Sequence, residues 1–188
     1  MIRFDSLSPE VMQAMCTPMH EILPRAAMPS PPPHPPRASG ALYLGSLSAV
    51  NDHALLRQHG VTHLVQAIEA SWAPPCRPED GFSAYSIDIR DKETVDIAPY
   101  LEAACIWIEK ALSRGEGVLV HCQQGVSRSP SIIIAYLIRN HGMSYDAALA
   151  HVKRRRACAK PNPGFARALM EWEAMWKARP GMMRRFTA

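Results

Sequence analysis

The sequence predicts an α/β fold, with a mostly parallel central sheet flanked by helices. Three observations carry this. Short apolar runs of strand type, Val61 to Val65 and Gly117 to His121, alternate along the chain with segments of helical spacing. Parallel strands need a long crossover between them, usually a helix, so this alternation favours a parallel sheet. The run Ile132 to Ile138 is apolar on every side, which suits a helix inside the molecule rather than on its surface. With 188 residues, 47% hydrophobic and 20% charged, the chain is long enough for one domain with a packed core.

The first 37 residues differ from the rest. Seven of the 17 prolines fall between Pro24 and Pro36, a stretch suited to extended polyproline II and to neither a helix nor a central strand. Before it, Val11, Met12, Met15, Met19, Ile22 and Leu23 have rough helical spacing. Residues 1–37 therefore read as a flexible Pro-rich extension. The sharper alternative makes them a ligand for a domain that binds Pro-rich segments.

The compact domain is expected over residues 38–179, with a tail over 180–188. Ala41 to Leu44 reads as a strand. Asn51 to His59 reads as a helix stopped by Gly60. After the strand at Val61, the prolines between Ser71 and Gly81 mark a loop. Tyr85, Ile87 and Ile89 alternate with polar residues as in a half-buried strand. Asp96 is placed to cap a helix whose stripe runs Ile97, Leu101, Ala104, Cys105, Ile108, Leu112. Gly117 to His121 is a buried strand, and the apolar helix after it stops at Gly142. Ser144 opens a helix to about Arg155, and Asn162 caps the last one, with Pro163 at its first position. Phe165, Leu169, Trp172 and Trp176 line one face of that helix.

Composition excludes several classes. No run approaches the roughly 20 apolar residues of a membrane span, and the first residues lack the pattern of a secretory signal. The net charge of +4 suits an anionic substrate but is too weak to argue for a nucleic-acid binder. Five scattered cysteines, none in a C-x-x-C pair, argue against zinc and against a disulfide framework. A reducing compartment follows, the cytoplasm first and the nucleus as an alternative.

The chemistry sits in Val118-Leu-Val-His-Cys-Gln-Gln-Gly-Val-Ser-Arg-Ser129. A buried strand delivers His121 and Cys122 to its carboxyl end, where α/β sites form. Cys122 then lies just before a helix N-terminus, whose free N–H groups and positive dipole end stabilise an anion. The main-chain N–H groups of Gln123, Gln124, Gly125, Val126, Ser127 and Arg128 can converge on a tetrahedral oxyanion. Gly125 permits the tight curvature, and the planar fork of Arg128 can hold two phosphate oxygens. A lone cysteine after a strand is ordinarily a small buried hydrophobe. Five specified residues at fixed offsets in a strand–loop–helix context are a different matter.

His121-Cys122-x5-Arg128-Ser129 resembles the signature of the cysteine-dependent protein tyrosine phosphatases. Leu42-Tyr43-Leu44-Gly45, Ala135-Tyr136-Leu137-Ile138, Met143-Ser144 and Lys160-Pro-Asn-Pro-Gly-Phe165 are similar to the small atypical dual-specificity members. The resemblance covers about Ala38 to Lys177. It implies a phosphatase-like fold and a catalytic domain over 38–179 that needs neither cofactor nor metal. It also implies a nucleophile at Cys122, with Arg128 binding phosphate, Ser129 helping the sulfur leave and His121 behind it. Asp91, within Ile87-Asp-Ile-Arg-Asp91-Lys-Glu-Thr-Val-Asp96, best matches the family's general acid. Asp88 competes, Glu93 is an outsider, and Asp96 reads as a cap. Asn162 matches the residue that steadies the loop. One departure is that Ala157 follows Arg156 where the family often has proline.

Phosphoproteins are the expected substrates, carrying phosphotyrosine, phosphoserine or phosphothreonine. Two further readings within the superfamily are a phosphoinositide phosphatase and an RNA 5′-triphosphatase. The first is weakened by Gln123, Gln124 and Val126, where lysines usually stand. The second leans on Lys153-Arg-Arg-Arg156, which more simply reads as a solvated helix end. A phosphopeptide-binding module without turnover is the reading from a different class. Cys76, Cys105 and Cys158 stand open as partners for an oxidised Cys122, although Cys105 on its apolar stripe reads as core.

Overall fold

The structure, a computed structural model, describes residues 7–28, 37–73 and 78–178. The Pro-rich stretch 29–36, Cys76 and the expected tail 180–188 lie outside these residues. The chain begins with α1 (Pro9–Cys16), β1 (Met19–Leu23), β2 (Ala26–Met28), β3 (Arg37–Ser39) and β4 (Leu42–Gly45). It continues through α2 (Leu47–Val50), α3 (His53–Gln58), β5 (Val61–Ala67) and β6 (Ser83–Ile87). The rest is α4 (Ala98–Leu112), β7 (Gly117–His121), α5 (Arg128–His141), α6 (Tyr145–Arg155) and α7 (Pro163–Lys177).

Five strands form one sheet in the order β1-β4-β7-β5-β6. The pairs β4–β7, β7–β5 and β5–β6 are parallel, as the alternation of strands and helices predicts. All five residues of β7 are buried, which explains why its sequence is a continuous apolar run instead of an alternation. Successive side chains of each strand sort to opposite faces. Tyr43, Leu64 and Leu119 meet Ala49, Val50 and Leu56 of the small helices on one face. Leu42, Leu44, Val65, Val118 and Val120 meet the larger core of α4, α5, α6 and α7 on the other. Helix α5 is the middle of that layer and is buried on nearly every side, as its composition requires. Gly142, at φ +64°, ends it in the left-handed conformation that glycine adopts most cheaply.

Residues 7–28 depart from the expected flexible leader. Helix α1 stops at Cys16, because Pro18 disfavours helical geometry in the residue before it. Met19, Ile22 and Leu23, read from their spacing as a continuation of that helix, instead form the antiparallel edge strand β1 against β4. Ile22 is fully buried there. β2 and β3 pair as a short antiparallel ladder. Two smaller differences concern the acids. Asp96 Oδ1 does accept the Ala98 N–H, at 2.9 Å, although Ile97 holds the cap position itself. The alternating strand stops at Ile87, and Ile89 is buried beyond its end. Among the described residues no helix is long and apolar enough to cross a membrane.

Candidate active site

Strand β7 ends at His121, and the loop from Cys122 to Ser127 turns the chain into α5. Cys122 is 1% exposed at the floor of this loop. Its Sγ accepts the Gly125 N–H at 3.2 Å and the Ser129 hydroxyl at 3.1 Å. Two hydrogen-bond donors thus face the sulfur.

The loop's carbonyls explain how its amides come to face inward. Gln123 O accepts from Leu47 N at 3.1 Å, and Val126 O from Lys160 N at 2.6 Å. Gln124 O and Gly125 O each accept from Arg156 at 2.9 Å, and Ser127 O accepts the Ser131 hydroxyl at 2.8 Å. Five consecutive carbonyls are thus held from outside. With the carbonyls pinned outward, the intervening N–H groups are left to converge on an anion. Gly125 has φ +69°, and a Cβ there would stand 2.6 Å from the Gly45 carbonyl oxygen and 2.8 Å from Arg156 Nη2. No other residue type fits.

Arg128 is 5% exposed, and its Nη1 donates to Ile89 O at 3.3 Å. Its buried Nε has no hydrogen-bond partner among the described residues, and Asp91 Oδ2 stands 3.8 Å from it. Asp91 Oδ1 accepts from the Ser127 hydroxyl at 2.7 Å and from Asn162 Nδ2 at 2.8 Å. Asn162 also caps α7 through its Oδ1 to Phe165 N at 2.9 Å, and its own N–H donates to Ser127 Oγ at 3.1 Å. The structure therefore gathers Cys122, Ser127, Arg128, Ser129, Asp91 and Asn162 around one loop. The other acids are placed elsewhere. Asp88 Oδ1 accepts from Ala70 N at 2.9 Å, holding the turn that follows β5, and Asp96 Oδ1 accepts from Ala98 N at the start of α4. Gln123 and Gln124 are exposed, and Val126 is half-buried.

His121 is fully buried behind Cys122. Burial pulls its pKa down to about 4, against a smaller opposing effect of the Cys122 main chain, so the ring is neutral near pH 7. The unfolded chain takes up this proton near pH 6.5, the folded protein only near pH 4. Stability is therefore expected to fall as pH drops across that window, by on the order of 3 kcal/mol from this residue. Urea unfolding at pH 7.5, 6 and 5 checks it: a midpoint that stays flat contradicts a buried neutral ring, and His121→Asn should flatten the slope.

Sequence reasoning missed Arg156. It reads as the end of a solvated basic run, yet it is fully buried while Lys153, Arg154 and Arg155 are exposed. Helix α6 ends at Arg155, and Arg156 turns to extended backbone at φ −135°, ψ 90°. The missing proline at 157 leaves no slack there: Ala159 N closes a turn onto Arg156 O at 3.0 Å, and Lys160 N holds the loop. Cys158 is buried next to Arg156, Cys105 belongs to the core, and burial pushes both thiols up. Among the described residues no cluster of His, Cys, Asp and Glu could hold a metal ion.

A family model described as the catalytic domain of dual specificity phosphatases matches residues 42–175. Dual specificity protein phosphatase 1 of Arabidopsis thaliana is 40% identical over 132 residues, 70% of this chain and 65% of that protein. The chain thus spans just under two thirds of that relative's length. Human dual specificity phosphatase 28 is 35% identical over 153 residues, 81% of this chain and 85% of that protein. The crystal structure of human DUSP28 aligns over 86% of this chain and 96% of its own, with 29% identity and a TM-score of 0.72. A family match that runs from the first parallel strand into the last helix encloses Cys122, its loop, Asp91, Arg156 and Asn162, and the chain belongs to the dual specificity phosphatases.

Proposed function

We propose that this protein removes phosphate from phosphotyrosine and from phosphoserine or phosphothreonine in protein substrates, through a phosphocysteine intermediate. The observation that carries this is the Cys122 sulfur, which receives two hydrogen bonds inside a loop whose carbonyls from Gln123 to Ser127 are engaged by other parts of the protein. The Cys122 thiolate attacks phosphorus while the ester P–O bond breaks. The leaving oxygen takes a proton from Asp91 Oδ2, the carboxyl oxygen left clear by the bonds that Ser127 and Asn162 make to Oδ1. Water then attacks the phosphocysteine, gives its proton back to Asp91, and the S–P bond breaks. Ser129 stabilises the sulfur as it departs, and inorganic phosphate leaves. Arg128 and the loop amides hold the equatorial oxygens throughout.

The readings as phosphoinositide phosphatase and RNA 5′-triphosphatase share this chemistry and differ in substrate. The test is phosphate release from p-nitrophenyl phosphate, from phosphopeptides of all three residue types, from phosphoinositides and from RNA 5′-triphosphate. Vanadate-sensitive release favouring the phosphopeptides is expected. Preference for a lipid or RNA substrate overturns the substrate class. Phosphopeptide binding with no turnover by folded, reduced protein points to the binding module instead.

The general acid is separable from its neighbours. Asp91→Asn is expected to lower kcat on phosphopeptides, whose leaving groups are poor, by about 10²-fold or more. The loss on p-nitrophenyl phosphate, whose leaving group needs little protonation, is expected to be smaller. Asp88→Asn should stay close to wild type. If Asp88→Asn shows the loss and Asp91→Asn does not, the acid has been misassigned.

A further inference from the structure

Arg156 is held on two sides. One edge of its guanidinium, Nε and Nη2, donates to the Gly125 and Gln124 carbonyls of the loop. Nη1 reaches the other way, to Thr17 O and to His20 Nδ1, each at 2.9 Å. A guanidinium only donates, so His20 Nδ1 is the acceptor and the ring proton sits on Nε2. Burial first, and the Arg156 charge second, hold the His20 pKa down to about 4, so the ring is a neutral acceptor at neutral pH.

The strand that carries His20 is a fixed post. It pairs with β4, Met19 opposite Gly45 and His20 opposite Leu44. Pro18 O accepts from Ser46 N at 3.0 Å, and His151 Nε2 meets Ile22 O at 2.9 Å. Gly45, the β4 residue opposite Met19, also supplies the carbonyl that closes over Gly125. The segment from residue 17 to 20 therefore backs the loop both directly through the sheet edge and through Arg156.

We propose that His20 is a positioning residue of the phosphate-binding loop: with the Thr17 carbonyl it fixes the Arg156 guanidinium against the Gln124 and Gly125 carbonyls and keeps the loop amides turned toward the anion. This rests on reading the loop as a phosphate cradle, and it makes the N-terminal strand a working part of the site. A buried cationic donor deprived of its acceptor costs free energy, and a fork free to tilt no longer fixes the carbonyls at its other edge.

The test compares His20→Ala, His20→Asn and His20→Gln with wild type. Asparagine places its Oδ1 about where Nδ1 stands, whereas glutamine places its amide nearer the Nε2 position. His20→Ala and His20→Gln are expected to lose about tenfold in both kcat/KM on p-nitrophenyl phosphate and vanadate affinity, the worth of about one hydrogen bond to a charged group. His20→Asn should stay within about threefold of wild type. The amide resonances of Gln124 and Gly125 should move in the alanine and glutamine variants and hold in the asparagine one. Should the alanine variant not fold, the glutamine–asparagine pair decides. Alanine or glutamine variants that match wild type, or an asparagine variant as impaired as they are, overturn the proposal. A wild type that does not turn over phosphate esters sinks the phosphatase reading, and the loop resonances still decide the role of His20.

Discussion

Cys122→Ser is expected to abolish turnover, by about 10⁴–10⁶-fold in kcat, while phosphopeptide and vanadate binding persist. The magnitude follows from what the sulfur does. A serine hydroxyl in the same place receives the same donors, Gly125 N and Ser129 Oγ. It has no adjacent general base to ionise it, because the buried imidazole of His121 lies behind residue 122 and Asp91 serves in that step as the acid for the leaving oxygen. Binding depends mainly on other atoms, the loop amides and Arg128: the loop carbonyls are held by Leu47, Lys160 and Arg156, and Arg128 is anchored on Ile89 O. Turnover is read with p-nitrophenyl phosphate and binding with a phosphopeptide under calorimetry. Substantial turnover in the serine variant removes the proposed nucleophile. Loss of binding together with loss of turnover shows instead that the sulfur shapes the loop.

The parts of this site that lie within a dozen residues were legible in the sequence, and the parts brought in from far away were not. Cys122, Gly125, Arg128 and Ser129 occupy fixed offsets between a strand and a helix, so their convergence needs only local geometry. Asp91 and Asn162 came from resemblance. Locally, only the alternation of Tyr85, Ile87 and Ile89 sets Asp88 apart from Asp91; the contacts that Ser127 and Asn162 make to the Asp91 carboxylate come from far along the chain. Arg156 was hidden by its neighbours, since three exposed basic residues precede it in one run. What separates it is a single turn of backbone at the end of α6, which sequence periodicity does not record. The fold shows the same division. The parallel strands β4, β5, β6 and β7 declare themselves through apolar runs and alternation. Strand β1 does not, because its five residues lie between Pro18 and Pro24 and continue an apparent helical spacing. Its identity is fixed by a partner strand, β4, beyond the Pro-rich stretch.

Arg128→Lys is the second large expected effect, a loss of about 10³–10⁵-fold in kcat with weakened vanadate binding. The substitution keeps the charge, so it isolates geometry. The guanidinium has one edge committed to Ile89 O through Nη1, while its buried Nε lacks a hydrogen-bond partner among the described residues and is aimed beside Asp91. A planar fork can therefore keep its anchor and still present parallel N–H groups to two phosphate oxygens. A lysine ammonium cannot do both. If it reaches the phosphate, Ile89 O loses its donor; if it stays on Ile89 O, the equatorial oxygens lose theirs as charge redistributes in the transition state. The thermal midpoint separates this from simple unfolding, and Arg128→Ala separates fork from charge. A lysine variant near wild type beside an inactive alanine variant would mean that positive charge alone suffices at this position. Equal losses in both would mean that the planar geometry carries the effect, and that the strand-to-helix loop was built to hold one orientation of one guanidinium.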